Sequence, residues 1–179
     1  MKDFITLQEI DEAADVVRSL THHQPRVGMI LGSGLGGLAE AVEEADIIPS
    51  DDIPNWPHST VEGHQSRLVI GKLQGQPVLV LQGRVHYYEG YSMAQVTFPV
   101  RVMQRLGVEV LIVTNAAGAI RPEFEPGDVM LISDNLNLVS MGGSNPLRGP
   151  NLNEFGPRFP DMSQVYDRRL MDLARASAA

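Results

Sequence analysis

Apolar runs of strand length alternate with segments of helical period along this 179-residue chain, and the alternation predicts an α/β fold. One apolar run, residues 27–31, ends directly in the glycine-rich turn GSGLGG. Two others, 68–73 and 78–82, are joined by Gln74-Gly75-Gln76-Pro77, as in a hairpin. A strand–turn–helix unit and a hairpin in one chain give a three-layer α/β/α arrangement with a mixed central β-sheet. One domain spanning residues 1–179 is expected from the length.

The elements follow in order. Residues 6–20 read as a helix. Thr6 and Glu9 have capping-box spacing, and Leu7, Ile10, Ala14, Val17 and Leu20 share a face. The glycine turn is expected to open a helix through Leu35, Leu38 and Val42. Residues 46–48 make at most a very short strand. Residues 49–67 contain Pro49, Pro54, Pro57 and Gly63 without periodicity and read as a long loop. A helix over 96–106 should end at Gly107, and Pro99 makes it either start near Phe98 or kink. Residues 108–114 form the strongest strand, apolar enough to have both faces buried. Another strand is expected at 129–132. After a stretch rich in Gly, Pro and Asn, Ser163 is placed to cap a last helix carrying Val165, Tyr166, Leu170, Leu173 and Ala174. That helix has an apolar face and nothing after it to cover the face, so the fold is expected to be incomplete at its C-terminus.

Charge narrows the partners. Lys and Arg total 14 against 22 Asp and Glu, a net charge of −8, which argues against a nucleic-acid or anionic-membrane partner. An anionic ligand would have to be captured by a few placed cations. There is no cysteine, which excludes disulfides, thiolate metal sites and a cysteine nucleophile. The N-terminus MKDFITLQEID is too polar for a signal peptide, and no apolar run approaches membrane-spanning length, so a cytoplasmic location is the default.

Four segments carry candidate chemistry. GSGLGG fits a dinucleotide fingerprint in wording, but no full second strand ending in an acid follows it. Its backbone amides and the Ser33 hydroxyl make either an anion nest or a tight packing turn. GRVHYYEGY, residues 83–91, follows a strand end. Arg84 and His86 are two apart and so point the same way on an extended backbone, suited to gripping an anion, with Glu89 placed to orient His86. A surface ion pair with packed tyrosines is the alternative. TNAAGAI, residues 114–120, puts Asn115 at the end of a core strand, where small residues let a ligand approach or a simple Asn turn ends the strand. The loop WPHSTVEGHQSR carries His58 and His64 and has the character of a mobile lid. No metal-ligand spacing is present, and no metal site is expected.

In this order and spacing, GSGLGG, HSTVEGHQSRL, GRVHYYEGY, VTFPVRV, TNAAGAI, GDVMLISDNLNL, NPLRGPN and RFPDMSQVYD resemble the trimeric-type purine nucleoside phosphorylases. The resemblance runs from about residue 26 to about residue 170. It implies that Ser33, His64, Arg84, His86 and the Ala116 amide bind phosphate, and that Tyr88 and Asn115 face the nucleoside. It further implies that His86 and Glu89 sit closest to the chemistry, and that Phe159 reaches a neighbouring subunit's site in a homotrimer. Methylthioadenosine phosphorylases fit the wording less well. The implied reaction is phosphorolysis of inosine, guanosine or their deoxy forms to a free purine base and (deoxy)ribose 1-phosphate. No cofactor is implied, because inorganic phosphate is itself a substrate. Family members continue well beyond Ala179 and bind the base with that part. Two readings therefore stay open for these residues: an enzyme impaired by truncation, or a non-catalytic remnant that binds phosphate or oligomerises.

Overall fold

The computed structural model describes residues 4–60 and 65–178. Helix α1, Leu7–Leu20, opens with the expected capping box: Thr6 Oγ1 accepts from the Glu9 amide at 3.3 Å, and the Glu9 carboxylate accepts from the Thr6 amide at 2.8 Å. Its Ile10, Ala13, Ala14 and Val17 are buried. Strand β1, Val27–Leu31, enters the glycine turn. β2, Glu43–Pro49, β3, Arg67–Leu73, and β4, Gln76–Gln82, follow as an antiparallel run. The β3–β4 turn has two residues, because Gln74 at φ 50° and Gly75 at φ 72° take the left-handed pair that matches strand twist. Pro77, expected in the link, is already paired in the ladder with Lys72.

β5, Val110–Val113, completes the order β2-β3-β4-β1-β5, with β4, β1 and β5 mutually parallel. The sheet is mixed, as expected. Helix α2, Met93–Val96, is capped by Ser92. It is followed by α3, Phe98–Arg105, which starts where Pro99 allows it and is not kinked around it. α1 and α3 cover one face over Ile30, Ile48, Leu68, Ile70, Leu79 and Leu81. Arg105 Nε, donating to Asp11 Oδ1 at 2.6 Å, ties the two helices together. The other face, Met29, Leu31, Val69, Val78 and Val80, is covered by Leu38, Ala39 and Val42.

Several expectations change. The helix after the glycine turn is a 3₁₀ segment, Gly36–Ala41, because paired glycines favour no regular helix. The short strand at 46–48 is part of seven-residue β2, which runs antiparallel to β3. A dinucleotide fold needs a parallel second strand there, so that reading is excluded. β5 is shorter than 108–114 and is not buried on both faces. It lies at the sheet edge, and Leu111, Ile112 and Val113 are 40%, 44% and 57% exposed. Residues 129–132 form no strand, since they have no pairing partner among the described residues, and Val129 is 96% exposed. Between them and the chain's last helix lies the short α4, Leu138–Met141. The final helix α5, Arg168–Ala178, starts later than expected, and Asp167 Oδ1, not Ser163, accepts from the Leu170 amide at 2.9 Å. Among the described residues no helix is long and apolar enough to cross a membrane.

The loop after β2 is better packed than its sequence implies. Ile53 and Trp56 are buried, and the Trp56 ring meets Phe98 of α3 edge-on at 6.0 Å. Residues 50–60 are thereby held against the core. The central strand should dominate stability: Leu79→Ala, at a fully buried position of β4, is expected to cost about 2–5 kcal/mol in denaturant titration.

Candidate active site

Because β4, β1 and β5 are adjacent and parallel, their C-terminal ends open at the same edge of the sheet. The three motif segments leave from those ends: Gly32 after β1, Gly83 after β4 and Thr114 after β5. They also touch. The Gly32 amide donates to Thr114 Oγ1 at 2.8 Å, and Arg84 Nη1 donates to the Thr114 carbonyl at 2.7 Å. The approach at Gly32 is so close that an added Cβ would lie 2.7 Å from the Thr114 carbonyl oxygen and 2.8 Å from Asn115 Cα. Only glycine fits there. Gly34, at φ 89°, turns the chain away from this junction.

His86 and Glu89 form the second part. The Glu89 carboxylate is only 2% exposed and accepts from the His86 amide at 2.6 Å, and Nδ1 of the same histidine lies 2.9 Å from it. Nε2 is the ring nitrogen turned away from that carboxylate. Tyr88 stacks on the His86 ring, centroids 4.8 Å apart and planes 16° apart, and is itself 75% exposed. The other Glu89 oxygen accepts from the Thr60 amide at 2.7 Å, the Thr60 hydroxyl at 2.9 Å and the Ser59 hydroxyl at 3.3 Å. Glu89 therefore staples the loop before residue 61 to the His86 turn. Burial alone would push the carboxyl up, and it is the largest single influence. The Thr60 amide, the His86 ring, the Thr60 hydroxyl and the His86 amide together outweigh it and hold Glu89 down at about 2.

The remaining candidates are placed as follows. Ser33 and Ala116 are exposed on their turns, one on each side of the Gly32–Thr114 contact. Asn115 donates to the Ala116 carbonyl at 3.1 Å, within its own turn. His64 lies outside the described residues. His58 pairs with Asp51 at 2.8 Å. Phe159 is 86% exposed, in a loop braced by Arg158 Nη1 on the Leu147 and Gly149 carbonyls, both at 2.7 Å. Reading the sequence missed Thr114 as the junction and Ser59 and Thr60 as partners of Glu89. Those ties join distant segments and carry no local signal. Gln82 was missed too, though a polar residue ending the apolar strand VLVLQ was a visible clue.

A depressed carboxyl stabilises the folded chain above its ordinary value near 4.5, and that contribution is lost as pH falls toward about 2. Acid titration of stability should therefore show a loss over this window that Glu89→Gln lacks. The loss should be on the order of a few kcal/mol. Equal acid sensitivity in the two proteins would remove Glu89 from this role.

Comparison with known proteins is consistent with this geometry. Purine nucleoside phosphorylase 1 of Geobacillus stearothermophilus is 58% identical over 166 residues, covering 93% of this chain and 60% of that protein. The Rattus norvegicus purine nucleoside phosphorylase is 51% identical over 174 residues, 97% of this chain and 60% of that protein. The crystal structure of a schistosoma purine nucleoside phosphorylase in complex with hypoxanthine superposes with a TM-score of 0.91 at 41% identity, over 99% of this chain and 62% of that one. A Schistosoma mansoni purine nucleoside phosphorylase in complex with inosine matches at a TM-score of 0.89 and 42% identity, over 97% and 60%. The chain thus spans about 60% of the length of these relatives. The family model for the phosphorylase superfamily matches residues 26–179, and the chain belongs to that superfamily, on its purine nucleoside phosphorylase branch.

Proposed function

We propose that these residues form the phosphate- and ribose-facing part of a purine nucleoside phosphorylase site, acting on inosine, guanosine and their deoxy forms. The observation that carries the reading is the meeting of the Gly32, Arg84 and Thr114 segments at one sheet edge. Solved relatives in complex with inosine and with hypoxanthine support it.

In this reading phosphate sits on the Ser33 turn and the Ala116 amide, with Arg84 supplying a cation and His86 and His64 further contacts. Directed N–H donors are needed because the chain's net charge of −8 repels an anion at long range. One phosphate oxygen attacks the anomeric carbon of the ribose. The new carbon–oxygen bond forms as the carbon–nitrogen bond to the purine breaks, and that electron pair leaves with the base, which takes a proton. The transition state resembles a ribosyl cation, so the enzyme's task is to position phosphate beneath it. Glu89 fixes the His86 ring by its Nδ1, and Tyr88, stacked on that ring, forms a wall toward the ribose with Asn115. The reaction calls for no cofactor, since phosphate is the nucleophile.

Arg84→Ala should weaken phosphate binding by roughly tenfold or more in calorimetric titration, the usual loss for a charge-assisted hydrogen bond. Unchanged phosphate affinity would remove Arg84 from the site. For a polypeptide of these 179 residues alone, the expectation is phosphate binding with turnover far below that of a full-length relative. The chain spans about 60% of its relatives' length, and each leaving-group donor a site lacks typically costs ~10²–10³ in rate. Hypoxanthine release from inosine and phosphate measures this. Robust turnover would show that the base site lies within these residues.

The projecting Phe159 favours a second reading, in which the chain also acts in assembly. A homotrimer in which Phe159 closes the next subunit's ribose site accounts for an aromatic with 86% exposure. Light scattering at micromolar concentration is expected to show a trimer, and Phe159→Ala should leave the trimer intact while weakening inosine binding. A clean monomer would sink the assembly.

A further inference from the structure

Gln82 ends an apolar strand whose Val78, Leu79, Val80 and Leu81 are all buried, and it is itself only 6% exposed. A buried amide costs stability unless both its ends are satisfied, and here both are used across two different elements. Its Oε1 accepts from Arg67 Nε at 2.7 Å, and its Nε2 donates to the Gly36 carbonyl at 2.9 Å. In the ladder it stands between Leu31 of β1 and Arg67 of β3. Arg67 begins the strand that follows residues 61–66, and Gly36 begins the 3₁₀ segment that closes the glycine turn.

The glycine turn needs an anchor at that end. Its start is held by the Gly32 bond to Thr114 and closed by the Leu35 amide on the Gly32 carbonyl at 3.2 Å. In between, Cβ atoms built on Gly34 and Gly37 would meet nothing within 4 Å, so this part is shaped by hydrogen bonds and not by packing. We propose that Gln82 is a positioning residue for the anion site: it fixes the far end of the Gly32–Gly37 turn to the sheet and, through Arg67, to the start of β3. The inference rests on the reading of this turn as a phosphate cradle. Neither a carboxylate nor an ammonium can replace the amide, since the site requires an acceptor toward a guanidinium and a donor toward a carbonyl at once.

Two variants and two readouts test it. Gln82→Met keeps the volume and removes both hydrogen bonds without adding charge. Gln82→Glu keeps the Arg67 pair, which secures folding, but turns an acceptor toward the Gly36 carbonyl. Native-state hydrogen exchange in each should accelerate by about tenfold, the worth of one hydrogen bond, at residues 33–38, with β3 and β4 unchanged. Gln82→Met should also raise the Kd for inorganic phosphate by about tenfold, in calorimetry on the same protein. Exchange that rises evenly over β3, β4 and the turn, or does not change, would overturn the proposal and leave Gln82 a satisfied core amide. If the unmodified chain binds no phosphate while exchange still rises only at the turn, the positioning role stands and the phosphate reading falls.

Discussion

The contact between Gly32 and Thr114 sets the geometry of everything around it. A backbone amide at the end of one parallel strand donates to a hydroxyl at the end of its neighbour, and there is no room between them for a methyl group. The Thr114 hydroxyl also donates to the Ile30 carbonyl at 3.3 Å, so one side chain joins two strand ends. Arg84 then binds the Thr114 carbonyl, bringing in the third segment. The glycine turn, the Arg84–Glu89 segment and the Asn115 turn owe their relative placement to this junction. It depends in turn on three adjacent parallel strands, whose ends share one edge.

The site's second feature is that its charges are buried by hydrogen bonding and not by ion pairing alone. Glu89 accepts from two backbone amides and two hydroxyls besides facing a histidine. Such a carboxylate stays ionised without a full cationic partner, so the His86 ring is oriented by a fixed negative charge. The loop that supplies Ser59 and Thr60 is held by Trp56 on Phe98, which ties it to the helix layer.

How much was legible follows the range of each interaction. The Thr6 capping box, the hairpin around Gln74-Gly75 and the start of α3 at Pro99 are decided within a few residues, and the sequence showed them. The His86–Glu89 spacing was readable for the same reason. β2 was underestimated because its exposed Glu43 and Glu44 and half-buried Asp46 interrupt the apolar pattern, as an edge strand tolerates. β5 was overestimated because apolar composition reports what a strand prefers, while burial depends on neighbours. Thr60, Thr114 and Gln82 acquired roles only through partners tens of residues away, which no local pattern records.

That range has an entropic consequence. The Gly32–Thr114 bond joins residues 82 apart, whereas the β3–β4 hairpin closes over a two-residue turn. Closing the longer loop costs more chain entropy than closing the hairpin or the local helices. The edge where the three motif segments meet is therefore the part of the sheet with the most chain entropy to overcome.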